Sequence, residues 1–340
     1  MTHLEITAGR GTTMAKNRPS YRMLAALAAV LLPIAAYAAN GSIGAYEAKS
    51  VDVNGIQTRY YEAGQGEPMV LVHGSGYTGT ASANTWYRNL PGLAEDFHVY
   101  AADKLASGMT GNPVDDKDFT IAGEVEHMYQ FIRAMGLERI HLVGQSRGAG
   151  LAFLLAEKYP EIIMTLVLVD SSTASPPAGD DRSHRREMIF RGCPEEDGTG
   201  ERFRCSQSAL AYNPVAVTDE YVEAAAYMWR QPKAAQTRER VTREIRRHNG
   251  VVTSEMNHGA YHRILTENSL DVPILLYWAK NDRSVLPSQA YSFYNILAEA
   301  NPRVWLLYTN RGGHFHYQEH PEEFNHNVKS FIARWSHDWK

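Results

Sequence analysis

The stretch that most constrains this chain runs from Ile140 to Ala156 and carries Gly144-Gln145-Ser146-Arg147-Gly148 at its centre. The apolar residues 140–143 lead into a G-x-S-x-G pattern, and an Ala/Leu-rich segment leads out of it. Ser146 is therefore expected at a tight turn from a buried strand into a helix. Glycines two positions to either side permit the close packing that such a turn demands. The hydroxyl would then stand at a helix N-terminus, where free amides favour developing negative charge.

A strand–turn–helix of this kind needs neighbouring strands, and the flanking sequence supplies them. Met69-Val70-Leu71-Val72 is a continuous apolar run, suited to a strand buried on both faces, and it runs into His73-Gly74-Ser75-Gly76. Residues 45–53 and 56–62 read as a hairpin about Asn54-Gly55. A helix is expected over 82–93, a strand over 97–101, a loop over 103–113 and an amphipathic helix over 121–135. A further strand over 163–169 ends at Asp170. The alternation stops near Ser171 and resumes with strands over 272–278 and 304–308 and helices over 288–298 and 319–335.

The fold class expected is α/β: a mostly parallel, doubly wound sheet with an inserted helical cap. The core would comprise residues 39–171 and 270–340, and the cap residues 172–269. The cap holds Pro176-Pro177, a Gly-, Glu- and Arg-rich loop with Cys193 and Cys205, and helices near 219–230 and 235–248. The basic run 238–247 carries Glu at helical spacing and is expected to be a solvated helix face.

The first 38 residues have the order of a secretory signal peptide. Lys16, Arg18 and Arg22 precede the apolar run 23–36, and Ala36-Tyr37-Ala38 offers a small-x-small cleavage site. Residues 1–13 would be an upstream extension with Met14 as the start. Pro33 and the shortness of the run argue against a membrane span, with an uncleaved anchor as the alternative. The mature protein is expected in the periplasm or secreted, without stable membrane insertion. Cys193 and Cys205 are expected to form a local disulfide there, and lack companions at zinc-ligand spacing, so no metal is expected. A net charge of −4 with scattered Lys and Arg excludes a nucleic-acid binder.

A serine hydroxyl needs a base to take its proton, and the base needs a carboxylate to orient it. Asp282, in a loop after the 272–278 strand, and His314, after Gly312-Gly313 and the last strand, supply both in the order Ser, acid, His. Asp170 is the rival acid, and His316 and His320 lie near the chosen base. The amides of Ser75 and Arg147 are the expected oxyanion donors. The Arg147 side chain is expected to face solvent or be paired.

Beyond these residues, the chain from about Ala45 to Trp335 resembles the α/β-hydrolase superfamily. The segments Gly313-His314-Phe315-His316-Tyr317-Gln318-Glu319-His320-Pro321, Leu71-Val72-His73-Gly74-Ser75-Gly76 and Trp86-Tyr87-Arg88-Asn89 resemble the meta-cleavage-product (carbon–carbon bond) hydrolases and their esterase relatives. So do Tyr212-Asn213-Pro214 and Arg230-Gln231-Pro232 in the cap. The resemblance implies a cap-helix arginine where this chain has Glu223-Ala224-Ala225-Ala226, and a tryptophan where it has Phe315. It also implies Asn and Met flanking the nucleophile, against Gln145 and Arg147 here. Those family positions handle an acidic dienoate.

The expectation is accordingly a cofactor-free serine hydrolase that cleaves an ester or lactone of an apolar or aromatic small molecule through an acyl-enzyme. Carbon–carbon bond hydrolysis of a β-diketone or dienone is the enzymatic alternative, and a ligand receptor with vestigial activity the non-enzymatic one. Substrate contacts are expected from Gly74, Gly76, Trp86, Tyr227, Trp229 and Phe315, and a homo-oligomer is possible.

Overall fold

A computed structural model of the chain describes residues 40–335. The expected signal peptide and the last five residues lie outside the described residues. Eight strands form one sheet in the order β1-β2-β4-β3-β5-β6-β7-β8. The strands are Ala48–Val53 (β1), Ile56–Ala63 (β2), Glu67–Val72 (β3), Phe97–Ala102 (β4), Ile140–Gln145 (β5), Ile163–Val169 (β6), Ile274–Ala279 (β7) and Val304–Thr309 (β8). β1 and β2 form the expected hairpin, β2 pairs antiparallel with β4, and every pairing from β4 to β8 is parallel.

Strand sequence explains the two covered faces. On β3, Val70 and Val72 pack with Ile121–Ala134 (α1) and Arg147–Lys158 (α2), while Met69 and Leu71 pack with Pro321–Trp335 on the other side. The period of two along a strand sends alternate residues to opposite faces, so a strand covered on both sides must be apolar throughout. At the far edge β8 is only half covered, leaving Trp305 and Tyr308 exposed.

Chain order places the site. β3 sits between β4 and β5, so the connections leave it in opposite directions and open a crevice at the strands' C-terminal ends. Val72 pairs with Gly144, which puts the loop after β3 directly beside the turn after β5. Ala279 pairs with Thr309, which does the same for the loops carrying Asp282 and His314.

Between β6 and β7 the chain is helical: Arg182–Phe190 (α3), Glu201–Leu210 (α4), Asp219–Trp229 (α5), Pro232–Arg240 (α6) and Arg243–Glu267 (α7). Pro287–Ala300 (α8) and Pro321–Trp335 (α9) follow in the core. Three sequence expectations change here. Residues 82–93 form two short turns, Ala83–Trp86 and Leu90–Leu93, rather than one helix. The last helix begins at Pro321, whose ring fits the first turn of a helix but not its interior. Cys205 lies within α4 rather than in a loop, and it is bonded to Cys193 across a Cα–Cα distance of 5.6 Å. Among the described residues no helix is long and apolar enough to cross a membrane.

Candidate active site

Ser146 is the turn residue between β5 and α2 and sits at φ 53°, ψ −122°. A side-chain-bearing residue at positive φ stores roughly 1–3 kcal/mol of strain. Here the surroundings hold it: its N–H donates to Val169 O at 2.8 Å, and Ser171 Oγ donates to its carbonyl at 2.6 Å. The flanking glycines are demanded by contact. A Cβ on Gly144 would lie 2.4 Å from Gly148 O, and one on Gly148 would lie 2.3 Å from His73 O.

The two strand-end loops meet as the sequence predicts. Asp282 Oδ2 lies 2.6 Å from His314 Nδ1, and Asp282 Oδ1 accepts from Ser284 N, Ser284 Oγ and Val285 N at 2.7, 2.9 and 3.0 Å. Burial pushes the Asp282 carboxyl up, but His314 and these donors outweigh it and hold it below the usual range. Burial likewise opposes charge on His314, and Asp282 reverses that, raising the imidazole above its ordinary value. Nδ1 therefore carries the proton toward Asp282, leaving Nε2 as the free base.

The rivals find each other instead. Asp170 Oδ2 lies 3.2 Å from His316 Nε2, both groups fully buried. Burial and the nearby Asp282 charge drive Asp170 well above the carboxylate range, and burial lowers His316 to about 4. Both shifts favour the neutral forms of this second pair. Ligand atoms of Asp170, Asp282 and His314 lie within 4.8 Å of one another, so a cation there would compete for the hydrogen bond that orients His314. His320 points away, to Arg311 O at 3.0 Å.

His314 Nε2 and Ser146 line the same cavity, but Nε2 is engaged at 3.2 Å by the Gln145 side-chain amide, which also donates to His314 O at 3.2 Å. Sequence reasoning missed this contact. On the other side of Ser146, Gly74 comes so close that a Cβ would lie 2.9 Å from Ser146 Cβ. Ser75 follows at φ 59°. His73 braces this loop. Its Nε2 accepts from Lys104 N at 3.1 Å, so Nδ1 carries the proton and donates to Gly74 O at 2.8 Å. Burial and the Lys104 charge lower His73 to about 3, which keeps it neutral.

Known proteins share this fold. A family model described as alpha/beta hydrolase fold matches residues 67–196, from β3 through the Ser146 turn and beyond. This chain has the α/β-hydrolase fold. A 2-hydroxy-6-oxo-6-(2'-aminophenyl)hexa-2,4-dienoic acid hydrolase of Metapseudomonas resinovorans is 27% identical over 294 residues, covering 86% of this chain and 93% of that protein. A meta-cleavage product hydrolase from Pseudomonas fluorescens IP01 superposes with a TM-score of 0.65 at 24% identity, over 84% of this chain and 97% of that one. A putative lipase from Acinetobacter baumannii reaches 0.68 at 21% identity, over 96% and 100%. The hydrolase thus resembles the meta-cleavage-product enzymes in sequence, and shares its fold with lipases as well.

Two chambers that share lining residues open onto Ser146. One, of about 430 Å³, is lined by Gly74, His314, Phe315, Trp229, Phe203 and Phe190 among others. The second, of about 910 Å³, is lined by Gly76, Arg147 and the polar face of α7, including Asn249, Thr253 and His258. Ser75, Ser146, Arg182, Arg186 and Arg246 line both. Of the expected substrate contacts, Gly74, Gly76, Trp229 and Phe315 face the chambers. Trp86 does not: it is fully buried, 4.6 Å from Tyr317 and 6.3 Å from Phe324 between ring centroids. Tyr227 does not either, because its ring packs on Gly41.

The basic run is largely the solvated face expected: Glu239, Arg243, Glu244, Arg246 and Arg247 are exposed, and Arg240 meets Asp116 at 2.6 Å. Half-buried Arg238 and exposed Arg246 also line the first chamber. Arg182, Arg186 and Arg246 have no acidic partner among the described residues. Burial, with Arg186 and Arg185 close by, lowers Arg182 below the usual guanidinium range, and burial alone does so for Arg186. The spacing Arg182-Ser183-His184-Arg185-Arg186 was the available signal, since positions i and i+4 share one helix face.

Proposed function

We propose that this hydrolase cleaves a carbon–carbon bond next to a ketone in an acidic small molecule of the 2-hydroxy-6-oxo-dienoate type. The observation that carries the reading is the wall of unpaired Arg182, Arg186 and Arg246 between the two chambers. Clustered cations without carboxylate partners favour an anionic ligand, because the ligand relieves their mutual repulsion and accepts charge-assisted hydrogen bonds. The names of the similar hydrolases support the same class, including the dienoic acid hydrolase and a 2-hydroxymuconate semialdehyde hydrolase from Pseudomonas putida.

In this reading Ser146 Oγ adds to the ketone carbon while His314 Nε2 takes the hydroxyl proton. Asp282 holds the imidazole in the required tautomer and stabilises its charge. The new oxyanion is received by the amides of Ser75 and Arg147. With the substrate's 2-enol tautomerised to the 2-ketone, collapse breaks the adjacent carbon–carbon bond; the electron pair is delocalised onto the 2-keto oxygen as a dienolate, which takes the proton from His314. Water, activated by His314, then releases the acid from Ser146. Gln145 must yield Nε2 to the Ser146 hydroxyl when substrate binds. Ester hydrolysis uses the same groups and is the second reading, favoured by the aromatic lining of the smaller chamber.

The test is turnover of a 2-hydroxy-6-oxohexa-2,4-dienoate beside aryl esters by the wild type, Ser146→Ala and Arg186→Ala. Ser146→Ala should lose activity by about 10^5-fold or more. Arg186→Ala should raise KM for the dienoate about tenfold while leaving neutral esters unchanged. Ester turnover with no dienoate turnover would favour the second reading. Export is also proposed, supported by the Cys193–Cys205 bridge. Uncleaved protein recovered only from the cytoplasm would count against it.

A further inference from the structure

Lys104 is the most anomalous side chain near the site. It is fully buried, follows β4, and was not expected to take part in anything. Its Nζ donates to Ser75 O at 2.6 Å and lies 3.4 Å from Glu124 Oε1. Glu124, also fully buried, projects from the first turn of α1. Its other oxygen accepts from Arg147 Nε at 3.0 Å and lies 2.8 Å from Arg147 Nη2. Arg147 in turn lies over the Tyr77 ring at 5.6 Å and reaches Asn249 Oδ1 at 3.4 Å.

The two ends of this chain of contacts are the two residues whose amides are expected to receive the oxyanion. We propose that Lys104, Glu124 and Arg147 form a clamp that fixes the distance and angle between those amides, making Lys104 and Glu124 positioning residues for the reaction. The proposal rests on the serine-hydrolase reading of Ser146. Donors aimed at an oxyanion act only if their geometry is set before the charge develops. The two donors here come from different loops: one follows β3 and one starts α2. Nothing in the strand pairing fixes a residue as far along the loop as Ser75, which carries positive φ at 59°. Lys104 holds the Ser75 carbonyl and so restricts rotation of the residue whose N–H is the donor, while His73 Nδ1–H on the Gly74 carbonyl holds the peptide plane of that N–H itself; Glu124 joins the Ser75 anchor to the helix carrying the Arg147 amide.

Burial of these ions is a poor way to stabilise a fold. Taking a lysine and a carboxylate out of water costs several kcal/mol each, and well-packed apolar replacements are often as stable. Burial, reinforced by Arg147, lowers Lys104 to about 8, and Glu124 works against that. What the ions supply that apolar groups could not is a directed link between two loops.

The experiment compares the wild type with Lys104→Met and Glu124→Gln on p-nitrophenyl acetate, with inhibition by a trifluoromethyl ketone and by the matching methyl ketone. The trifluoromethyl ketone forms an oxyanion adduct with a serine, and the methyl ketone binds without one. The clamp predicts that kcat falls about 10- to 100-fold with KM within about twofold. Affinity for the trifluoromethyl ketone should fall by a similar factor, and affinity for the methyl ketone should hold. Wild-type kcat and an unchanged ketone ratio in folded Lys104→Met, whatever its melting temperature, would overturn the proposal. If Lys104→Met does not fold, Glu124→Gln, which keeps the side-chain shape, decides by the same readings. A wild type inert to both the ester and a fluorophosphonate would instead remove the serine-hydrolase reading, and the clamp with it.

Discussion

Two aspartate–histidine pairs stand side by side at the C-terminal edge of this sheet, and they behave in opposite ways. Asp282 and His314 are 2.6 Å apart, with the carboxyl shifted down and the imidazole up. Asp170 and His316 are 3.2 Å apart, with the carboxyl shifted up and the imidazole down to about 4. Both pairs are buried and both acids follow parallel strands, so neither burial nor topology separates them. Donors do. One oxygen of Asp282 accepts three hydrogen bonds, from Ser284 N, Ser284 Oγ and Val285 N, whereas Asp170 accepts one, from Ala279 N at 2.9 Å. Once Asp282 is ionised, its charge makes ionising Asp170 costlier still. The acid that works is the one whose loop supplies amides.

The largest effect expected from this difference is on catalysis. Asp282→Asn keeps the shape but removes the charge and the preference for the useful tautomer, and should reduce kcat about 10^4-fold. Asp170→Asn replaces a group whose neutral form burial favours and should leave kcat within about threefold. Equal losses in the two variants, measured on one substrate at one pH, would break the comparison. The pH profile sharpens it. Because His314 is raised above 6.5 and must be neutral to act, kcat/KM should fall on the acid side with an apparent pKa above 6.5.

A smaller effect is expected on stability, with a definite sign. Asp170 has a folded pKa raised above its unfolded value, so its contribution is full below the unfolded value near 3.8 and is lost as pH climbs toward the folded one. Asp170→Asn removes that loss. Its melting temperature should match or trail the wild type near pH 4 and overtake it toward neutrality, by about 2–4 °C for each kcal/mol relieved. A wild-type advantage that widens with rising pH would mean that Asp170 is ionised and paired with a charged His316.

How much of this the sequence disclosed follows from where each residue sits. Ser146, Asp282 and His314 were legible because each lies at the end of an apolar run, and parallel strands bring such ends to one edge. Choosing Asp282 over Asp170 by position gave the pair now seen in contact. Trp86 was misread because an aromatic near a glycine-rich loop serves a pocket or a core equally well, and here it packs on Tyr317 and Phe324. Arg182 and Arg186 were missed, as was the chamber lining by Arg238 and Arg246, because helical spacing says which residues share a face but not what that face meets. In a helical insertion, that depends on tertiary packing. The Lys104–Glu124–Arg147 link joins three distant segments and has no local signature at all.

The smallest expected effect concerns Gln145, whose amide occupies the base that Ser146 must use. Its nitrogen lies 3.2 Å from both His314 Nε2 and His314 O. A carbonyl oxygen can only accept, which fixes the NH2 end of Gln145 toward His314. A donor aimed at Nε2 stabilises the neutral ring and opposes protonation. Gln145→Leu should therefore raise the acid-side pKa of kcat/KM by less than about one unit, with the plateau rate at higher pH within about threefold of wild type. A downward shift would mean that Oε1 faces the ring and accepts from the imidazolium. Gln145 would then help to charge the base, not hold it neutral, and the working pair would owe its raised histidine to two acceptors rather than to Asp282 alone.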